Sequence, residues 1–279
     1  MAQPAKPPVP AHDPAVGRWV KCAGCQELVY RRQFEGLQRV CPLCGHHQRL
    51  RATERIDFTV DAGSFRELFS EIVSADPLAF PDYGDKLRGV MRQTGLHEAV
   101  VTGEATISGY PVVLGVLDFH FRAGTMSAAV GTKVAASMEH GRETGRPVIQ
   151  FIASGGARVH EGLHALTQMA KTSAAVARLQ AAGVPFLVVL TDPSMAGVMA
   201  SYASLGDVII AEPGALIGFT GPRVIEQTCR IKLPPDHQTA EFQLAHGMVD
   251  LVCERIRLRP TITALLRALV GPRPAGEEA

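Results

Sequence analysis

Pro147-Val148-Ile149-Gln150-Phe151-Ile152-Ala153 runs directly into Ser154-Gly155-Gly156-Ala157, and this junction decides the fold. The first seven residues are almost all apolar or β-branched, which predicts a strand buried on both faces. The glycines that follow predict a tight loop, and residues 159–181 then carry a helical pattern stopped by Gly183 ahead of Pro185. The same unit recurs downstream. Residues 186–190 predict a second strand, Thr191-Asp192-Pro193-Ser194 a turn, and residues 196–205 a second helix. A third round follows through strands at 208–210 and 216–219 and a helix opened by Pro222. Alternation of this kind predicts an α/β layered core. Upstream, residues 100–107 and 112–121 predict two strands joined tightly through Ser108-Gly109-Tyr110-Pro111. Ser64-Phe65-Arg66-Glu67 reads as a capping box opening a short helix to Ser70, and Asp76-Pro77 and Pro81-Asp82-Tyr83-Gly84 mark a loop-rich linker.

Ahead of this core, Cys22, Cys25, Cys41 and Cys44 form a C-x2-C-x15-C-x2-C array, the spacing of two knuckles holding one tetrahedral Zn²⁺. A segment this short buries too little surface to fold alone, so the metal is expected to be structural, and four thiolates leave no open coordination position. The alternatives are two disulfides or unrelated core cysteines. Each CxxC pair is too close for an ordinary structural bridge, and Gly24 and Gly45 stand where the knuckles turn. Cys229 and Cys253 are expected to be buried small hydrophobes.

The chain has 279 residues, 46% hydrophobic and 20% charged, with a net charge of +1, which excludes disorder and a fibre and allows one sizeable core with a small appendage. Its apolar runs, such as residues 184–190, are strand-length, far below the roughly 20 residues of a membrane span. The Pro- and Ala-rich start to residue 14 lacks an apolar signal core and reads as a flexible tail; with the metal-type cysteines, this predicts a reducing, cytoplasmic home. Eight basic residues stand against three acidic between Arg18 and Arg55, a net charge of +5. Such a ribbon attracts a polyanion, nucleic acid or cofactor phosphates, or packs as a solvated face on a partner subunit.

The loops after the strands carry the chemistry. Backbone N–H groups at a strand-to-helix corner point into a cleft where the helix dipole also favours negative charge. Ser154-Gly155-Gly156-Ala157 and Met195-Ala196-Gly197-Val198 occupy equivalent places in successive repeats, so one donor from each is expected to meet at a single carbonyl oxygen. Gly155, Gly156, Ala196 and Gly197 are therefore the candidate catalytic positions. They act through their backbone, because no Ser-His-Asp set or carboxylate dyad is evident. His120, His160 and His164 are the nearest candidates for proton transfer. His160 and His164, four apart on one helix, also fit an ordinary helix surface. Arg158 and Arg223 are candidates for cofactor phosphates, with an ion pair, for Arg158 to Glu161 or another acid, as the alternative.

These residues together resemble one family. The cysteine ribbon, Ser154-Gly155-Gly156-Ala157-Arg158 with Glu161-Gly162, Gln168-Met169-Ala170-Lys171-Thr172-Ser173, Thr191-Asp192-Pro193, Leu205-Gly206-Asp207, Ala211-Glu212-Pro213 and Gly218-Phe219-Thr220-Gly221-Pro222-Arg223-Val224-Ile225-Glu226-Gln227-Thr228 resemble the carboxyltransferase β subunits of bacterial and plastid acetyl-CoA carboxylase. The resemblance runs from about Trp19 to Leu269. It implies a crotonase-like (ClpP/crotonase) spiral of ββα units carrying half of a site in which carboxybiotin on a biotin carboxyl carrier protein gives its carboxyl group to acetyl-CoA. The product is malonyl-CoA for fatty-acid synthesis. It further implies an α subunit of the same fold as partner in an α2β2 heterotetramer, biotin carboxylase as the ATP-using component, and the biotin ureido nitrogen as the base. The expected organisation is a tail over 1–17, a zinc ribbon over 18–55, a linker with a helix over 56–97, the crotonase-like domain over 98–270, and a tail over 271–279.

The chain departs from the family pattern in two loops. Where the family shows F-x-G-G-S-M-G-S-V-V-G, Phe121-Arg122-Ala123-Gly124-Thr125-Met126-Ser127-Ala128-Ala129-Val130-Gly131 replaces two glycines by Ala123 and Ser127. Ala196-Gly197 likewise stands where the family tends to have Gly-Gly. A Cβ at a position requiring positive φ costs about 1 kcal/mol or more. These losses motivate two alternatives, a scaffold paralogue with reduced catalysis and a carboxyltransferase for another acyl-CoA, beside the nucleic-acid-binding ribbon.

Overall fold

In the computed structural model, which describes residues 17–234 and 236–272, the cysteine array and the strand–loop–helix repeats fall into two units that divide between Gln48 and Arg49. The expected tails lie, apart from residues 17, 271 and 272, outside the described residues.

The first unit pairs β1 (Trp19–Lys21) with β2 (Leu28–Tyr30) antiparallel and adds α1 (Arg31–Gly36). Its buried core is Cys22, Val29, Phe34 and Cys41. Both knuckle glycines have a steric reason. Gly45 has φ +71°, and a β-carbon on Gly24 would stand 2.8 Å from that of His46.

The second unit begins with α2 (Ala52–Thr59), β3 (Arg66–Leu68) and α3 (Tyr83–Thr94), then the hairpin β4 (Val100–Ile107) and β5 (Tyr110–Leu117). The repeats follow as α4 (Ala128–Thr144), β6 (Val148–Ser154), α5 (Leu163–Ala181), β7 (Phe186–Met195), α6 (Ala196–Met199) and β8 (Val208–Ala211). The chain continues through β9 (Ile217–Gly218), α7 (Pro222–Cys229), α8 (Ala240–Ala245), β10 (Leu251–Val252) and α9 (Arg255–Val270). One sheet runs in the order β10-β8-β7-β6-β5-β4-β3, with β9 also on β7. From β5 to β10 the pairs are parallel, and β3, β4 and β5 are antiparallel.

Period-2 alternation sends the central strands' side chains to two cores. Val148 and Ile152 of β6 and Phe186, Val188 and Leu190 of β7 pack with Val134 and Met138 of α4 and Val176 and Leu179 of α5. Ile149, Phe151, Leu187 and Val189 face the other way, against Ile56 of α2 and Leu258, Ile262 and Leu266 of α9. Between α2 and α9, Glu212 is buried with a guanidinium on each side, Arg55 at 2.8 Å and Arg255 at 2.7 Å.

Several local expectations are corrected. Ser64 opens no helix, because Arg66–Leu68 is drawn into an edge strand on β4, and the Ser64 hydroxyl bonds the Asp61 carbonyl at 2.7 Å. Residues 191–194 belong to β7 and not to a turn: the register with β6 slips between Ile152 and Ser154, and the Thr191 and Ser194 hydroxyls both donate to the Ile152 carbonyl. The helix expected over 196–205 stops at Met199, where Ser201 Oγ bonds back to the Gly197 carbonyl at 2.7 Å. Cys253 is buried, but Cys229 is exposed. The basic excess of the ribbon also shrinks, since Arg55 is buried on Glu212 and Arg49 is held by Asp192 at 3.0 Å.

Candidate active site

β5, β6 and β7 all end on the same edge of the parallel sheet, and the loops leaving those ends form the candidate site, as open α/β sheets favour. The first corner follows β6. Gly155 is exposed, and Gly156 is buried with φ +114°. The second follows β7, where Ala196 has φ +53° and opens α6. The two corners meet. A β-carbon on Gly156 would lie 2.5 Å from that of Ala196 and 3.5 Å from the Gly197 nitrogen, so only glycine fits at 156.

The donors differ from those expected. Gly155 gives its N–H to the Ala123 carbonyl at 2.9 Å, and Gly156 gives its N–H to Ser154 Oγ at 3.0 Å. Neither amide is therefore available to a ligand. Ala157 forms a parallel bridge to Met126 through its neighbours, with Met126 N–H on the Gly156 carbonyl and Arg158 N–H on the Met126 carbonyl. That pattern turns the Ala157 N–H away from Met126. Gly197 lies in the first turn of α6, whose N–H groups have no intrahelical acceptor. Ala157 and Gly197 are the amides this geometry brings forward.

Arg158 is not placed for a phosphate. It is 1% exposed, and its guanidinium is fully engaged. Nη2 reaches Glu98 Oε1 at 2.7 Å and the Thr125 carbonyl at 2.9 Å, Nη1 reaches Ser74 Oγ at 2.8 Å, and Nε reaches Thr125 Oγ1 at 3.1 Å. Burial alone lowers its pKa, but Glu98 beside it outweighs this and holds the charge firmly. Glu98 also accepts from Ser74 Oγ, and from Ser127 Oγ at 3.0 Å. Glu161, the expected partner, stands 3.9 Å from Nη1 and accepts instead from Tyr83 OH at 2.6 Å and the Ala128 N–H at 2.7 Å. Burial pushes the Tyr83 phenol up to about 12, so it stays a donor. The ion-pair reading of Arg158 is the one realised: the network fixes the Ala157 corner and the start of α4. Arg223 lies exposed in the first turn of α7, beyond the second corner.

Of the three histidines, His120 lies just past β5 with Nδ1 2.9 Å from Asp118 Oδ1. Asp118 is 2% exposed and also accepts from the Ala52 and His120 N–H groups. His160 stacks on Tyr83 with ring centroids 5.0 Å apart and receives Arg122 Nη2 at 3.1 Å. His164 is exposed and lines a cavity of about 260 Å³ with Ala75, Ala128, Thr132 and Glu161. Sequence reasoning missed Glu98, Asp118 and Arg122 as site residues. The i, i+2 spacing of Asp118 and His120 within an apolar run was the available signal for that pair, since it puts both on one side of an extended chain. Glu98 had no local signal, because its partner stands 60 residues away.

In the first unit, the sulfurs of Cys22, Cys25, Cys41 and Cys44 lie within 4.8 Å of one another and form no disulfide. Cys22 and Cys44 are 3.7 Å apart, and Cys25 and Cys41 3.9 Å. A tetrahedral ion with metal–sulfur bonds of about 2.3 Å requires sulfur separations of about 3.8 Å, so the four residues fit a metal. No described helix is long and apolar enough to cross a membrane.

The carboxyl transferase domain model matches residues 46–245, and the acetyl-CoA carboxylase zinc finger domain model matches residues 19–44. The acetyl-coenzyme A carboxylase carboxyl transferase subunit beta of Desulforamulus reducens is 53% identical over 250 residues, 90% of this chain and 87% of that protein. Its namesake in Heliobacterium modesticaldum is 50% identical over 262 residues, 94% of this chain and 99% of that protein. Among solved structures, transcarboxylase 12S with hydrolysed methylmalonyl-coenzyme A superposes with a TM-score of 0.70 at 26% identity, over 89% of this chain but 44% of that one. A chain of a Pseudomonas malonate decarboxylase hetero-dimer superposes with a TM-score of 0.62 at 25% identity, over 81% of this chain and 88% of that one. With a zinc ribbon ahead of a crotonase-like sheet, and half of its residues shared with named relatives over nearly their full length, the chain belongs to the carboxyl transferase family, among the acetyl-coenzyme A carboxylase carboxyl transferase β subunits.

Proposed function

We infer that this chain supplies the thioester-holding half of a biotin-dependent carboxyltransferase that converts acetyl-CoA to malonyl-CoA. The observation that carries the mechanism is the meeting of the two corners, with the Gly197 nitrogen 3.5 Å from where a Gly156 β-carbon would stand. The acetyl carbonyl oxygen sits between the Ala157 and Gly197 N–H groups, which are already oriented when negative charge moves onto it. Transfer of a methyl proton to the biotin ureido nitrogen, once its carboxyl group has departed, would leave an enolate held by two fixed donors, and the enolate carbon would take up that carboxyl group. Carboxybiotin, borne on a separate carrier protein, supplies the carboxyl group. Arg158 and Glu98 keep the first corner in place, and Arg223 is free to meet an anion. This chain covers 44% of the transcarboxylase chain it resembles, which supports an α-type partner of the same fold, in an α2β2 assembly, for the biotin side. Zn²⁺ is the fitting ion for the four cysteines, and the cytoplasm, which keeps thiols reduced, is the fitting compartment.

The test is reconstitution with an α-type subunit, biotin carboxylase, biotinylated carrier, bicarbonate and ATP. Malonyl-CoA should form from acetyl-CoA and vanish when either this chain or the α-type subunit is left out. Gly197→Pro removes one donor in the first turn of α6, where no intrahelical hydrogen bond is lost. It should lower kcat by about 10²–10³ while leaving acetyl-CoA binding intact. A variant that binds acetyl-CoA and turns over within about tenfold of the unaltered enzyme would end the oxyanion role.

A further inference from the structure

Arg122 is a cation without an acid. Its guanidinium is partly buried, and its side-chain partners among the described residues are a neutral donor–acceptor ring and an aromatic one: Nη2 lies 3.1 and 3.3 Å from the two His160 ring nitrogens, within hydrogen-bond reach, and the group sits 5.8 Å from the centre of the Tyr83 ring. Among the described residues it makes no ion pair. The acids around it are already used. Glu161 is held by Tyr83 and the Ala128 amide, Glu98 by Arg158, Ser74 and Ser127, and Asp82 by Lys86 at 3.9 Å. Burial, followed by the charges of Arg122, Lys86 and Arg158, holds His160 below its ordinary pKa, so the field around Arg122 is positive. A partly buried cation without a counter-charge costs stability and is retained where something else completes it.

Its place in the chain says what completes it. Arg122 has φ +50° and Ala123 φ +57°, two successive non-glycine residues in the left-handed region. That conformation brings the Ala123 carbonyl under the Gly155 amide, so the loop that carries the guanidinium is the loop that closes the first corner. Strain kept at such a position points to a ligand contact. We propose that Arg122 receives an anionic oxygen of the thioester substrate, either a phosphate of the coenzyme A moiety or the carboxylate being transferred. The proposal rests on the reading that this chain holds the thioester, and it moves the anion contact expected of Arg158 onto a residue the structure leaves available.

The experiment compares the unaltered chain with Arg122→Gln and Arg122→Lys in the reconstituted complex. Acetyl-CoA, acetyl-pantetheine and, in the reverse direction, malonyl-CoA are the substrates. Loss of one charged hydrogen bond predicts that Arg122→Gln raises KM by about tenfold or more with kcat held within about threefold, and that Arg122→Lys recovers part of it. A rise for acetyl-CoA and malonyl-CoA but not acetyl-pantetheine marks a phosphate contact. A rise for malonyl-CoA alone marks the carboxylate. Values of KM within about twofold throughout, or an equal change on all three substrates, mark a structural stack with His160 and overturn the proposal. If Arg122→Gln is recovered unfolded, Arg122→Met keeps the aliphatic packing and is judged by the same criteria. An unaltered complex that makes no malonyl-CoA removes the underlying reading, whereas an active complex indifferent to Arg122→Gln removes only this assignment.

Discussion

Ala196 occupies a left-handed conformation that glycine adopts freely, and its methyl group fills the space that a β-carbon on Gly156 would need. Ala196→Gly should relieve that backbone and stabilise the second unit by about 0.5–1 kcal/mol, net of the added freedom of the unfolded chain. Gly156→Ala should cost about 2–3 kcal/mol, since its β-carbon enters the space of Ala196 at φ +114°. Urea denaturation of the two variants checks both signs, and a destabilised Ala196→Gly would refute the strain. Asp118 gives a pH-dependent case. Burial alone raises its carboxyl pKa, but hydrogen bonds from the His120 ring and from the Ala52 and His120 amides outweigh it and hold the pKa below the ordinary value. Its contribution is therefore present above the unfolded pKa of about 3.9 and is lost as pH falls through the lower folded value. Asp118→Asn should cost about 2 kcal/mol at neutral pH, and the gap to the unaltered protein should close in acid below about pH 4. A gap independent of pH would show that shape, not charge, is at work. At this scale the corners were legible in the sequence, because glycines between a strand and a helix have few other uses. The donors were not: whether Gly155 and Gly156 keep their amides free depends on the Ala123 carbonyl and on the Ser154 rotamer, neither of which has a sequence signature.

The elements read correctly from sequence are those whose pattern and packing agree. β4, β5, β6 and the long body of α5 are carried by apolar periodicity that the two cores then use. The misread elements are those where a distant partner overrides local preference. Ser64-Phe65-Arg66-Glu67 satisfies a capping box, yet the open edge of β4 recruits Arg66–Leu68 as a strand, exchanging local hydrogen bonds for a sheet ladder. α4 shows the opposite outcome for one of the two missing glycines. Ser127 sits at φ −94°, where a side chain costs nothing; its hydroxyl accepts from the Val130 N–H at 3.0 Å and donates to Glu98. The departure at 127 thus gains a helix cap, while the departure at Ala123 takes the left-handed backbone. Ser127→Ala should cost about 1–2 kcal/mol through loss of the cap and of one Glu98 contact. Ser127→Gly should lose the same contacts and add backbone freedom. Thermal unfolding of both variants tests this, and a stabilised Ser127→Gly would show that the loop prefers glycine after all.

The two units differ in what keeps them folded. The second has two extended cores on opposite faces of one sheet, with the buried Arg55–Glu212–Arg255 and Arg158–Glu98 contacts satisfied internally. The first has four buried core residues, two of them cysteines of the metal cluster, and an assembly this small does not outweigh the entropy of ordering its chain. Without an ion one of its sulfurs, that of Cys25, also resists ionisation. The Glu27 backbone contact lowers the Cys25 thiol, but burial and its hydrogen bonds with Cys44, Cys22 and Cys41 raise it, to about 12. A divalent cation reverses this by taking four thiolates, so metal binding and folding of the unit are one event. Removing the metal with a strong chelator at neutral pH, or replacing one ligand by Cys41→Ser, should therefore unfold residues 17–48 and leave 49–272 folded. Hydrogen exchange read by mass spectrometry separates the two. Amides of β1, β2 and α1 should lose their protection, while those of β5, β6 and β7 keep it, and the untreated protein should contain one equivalent of zinc per chain, released as the first group exchanges. Protection in 17–48 that survives complete removal of the metal would mean that the small core suffices alone. Loss of protection throughout the sheet would mean that the second unit does not stand on the interactions assigned to it.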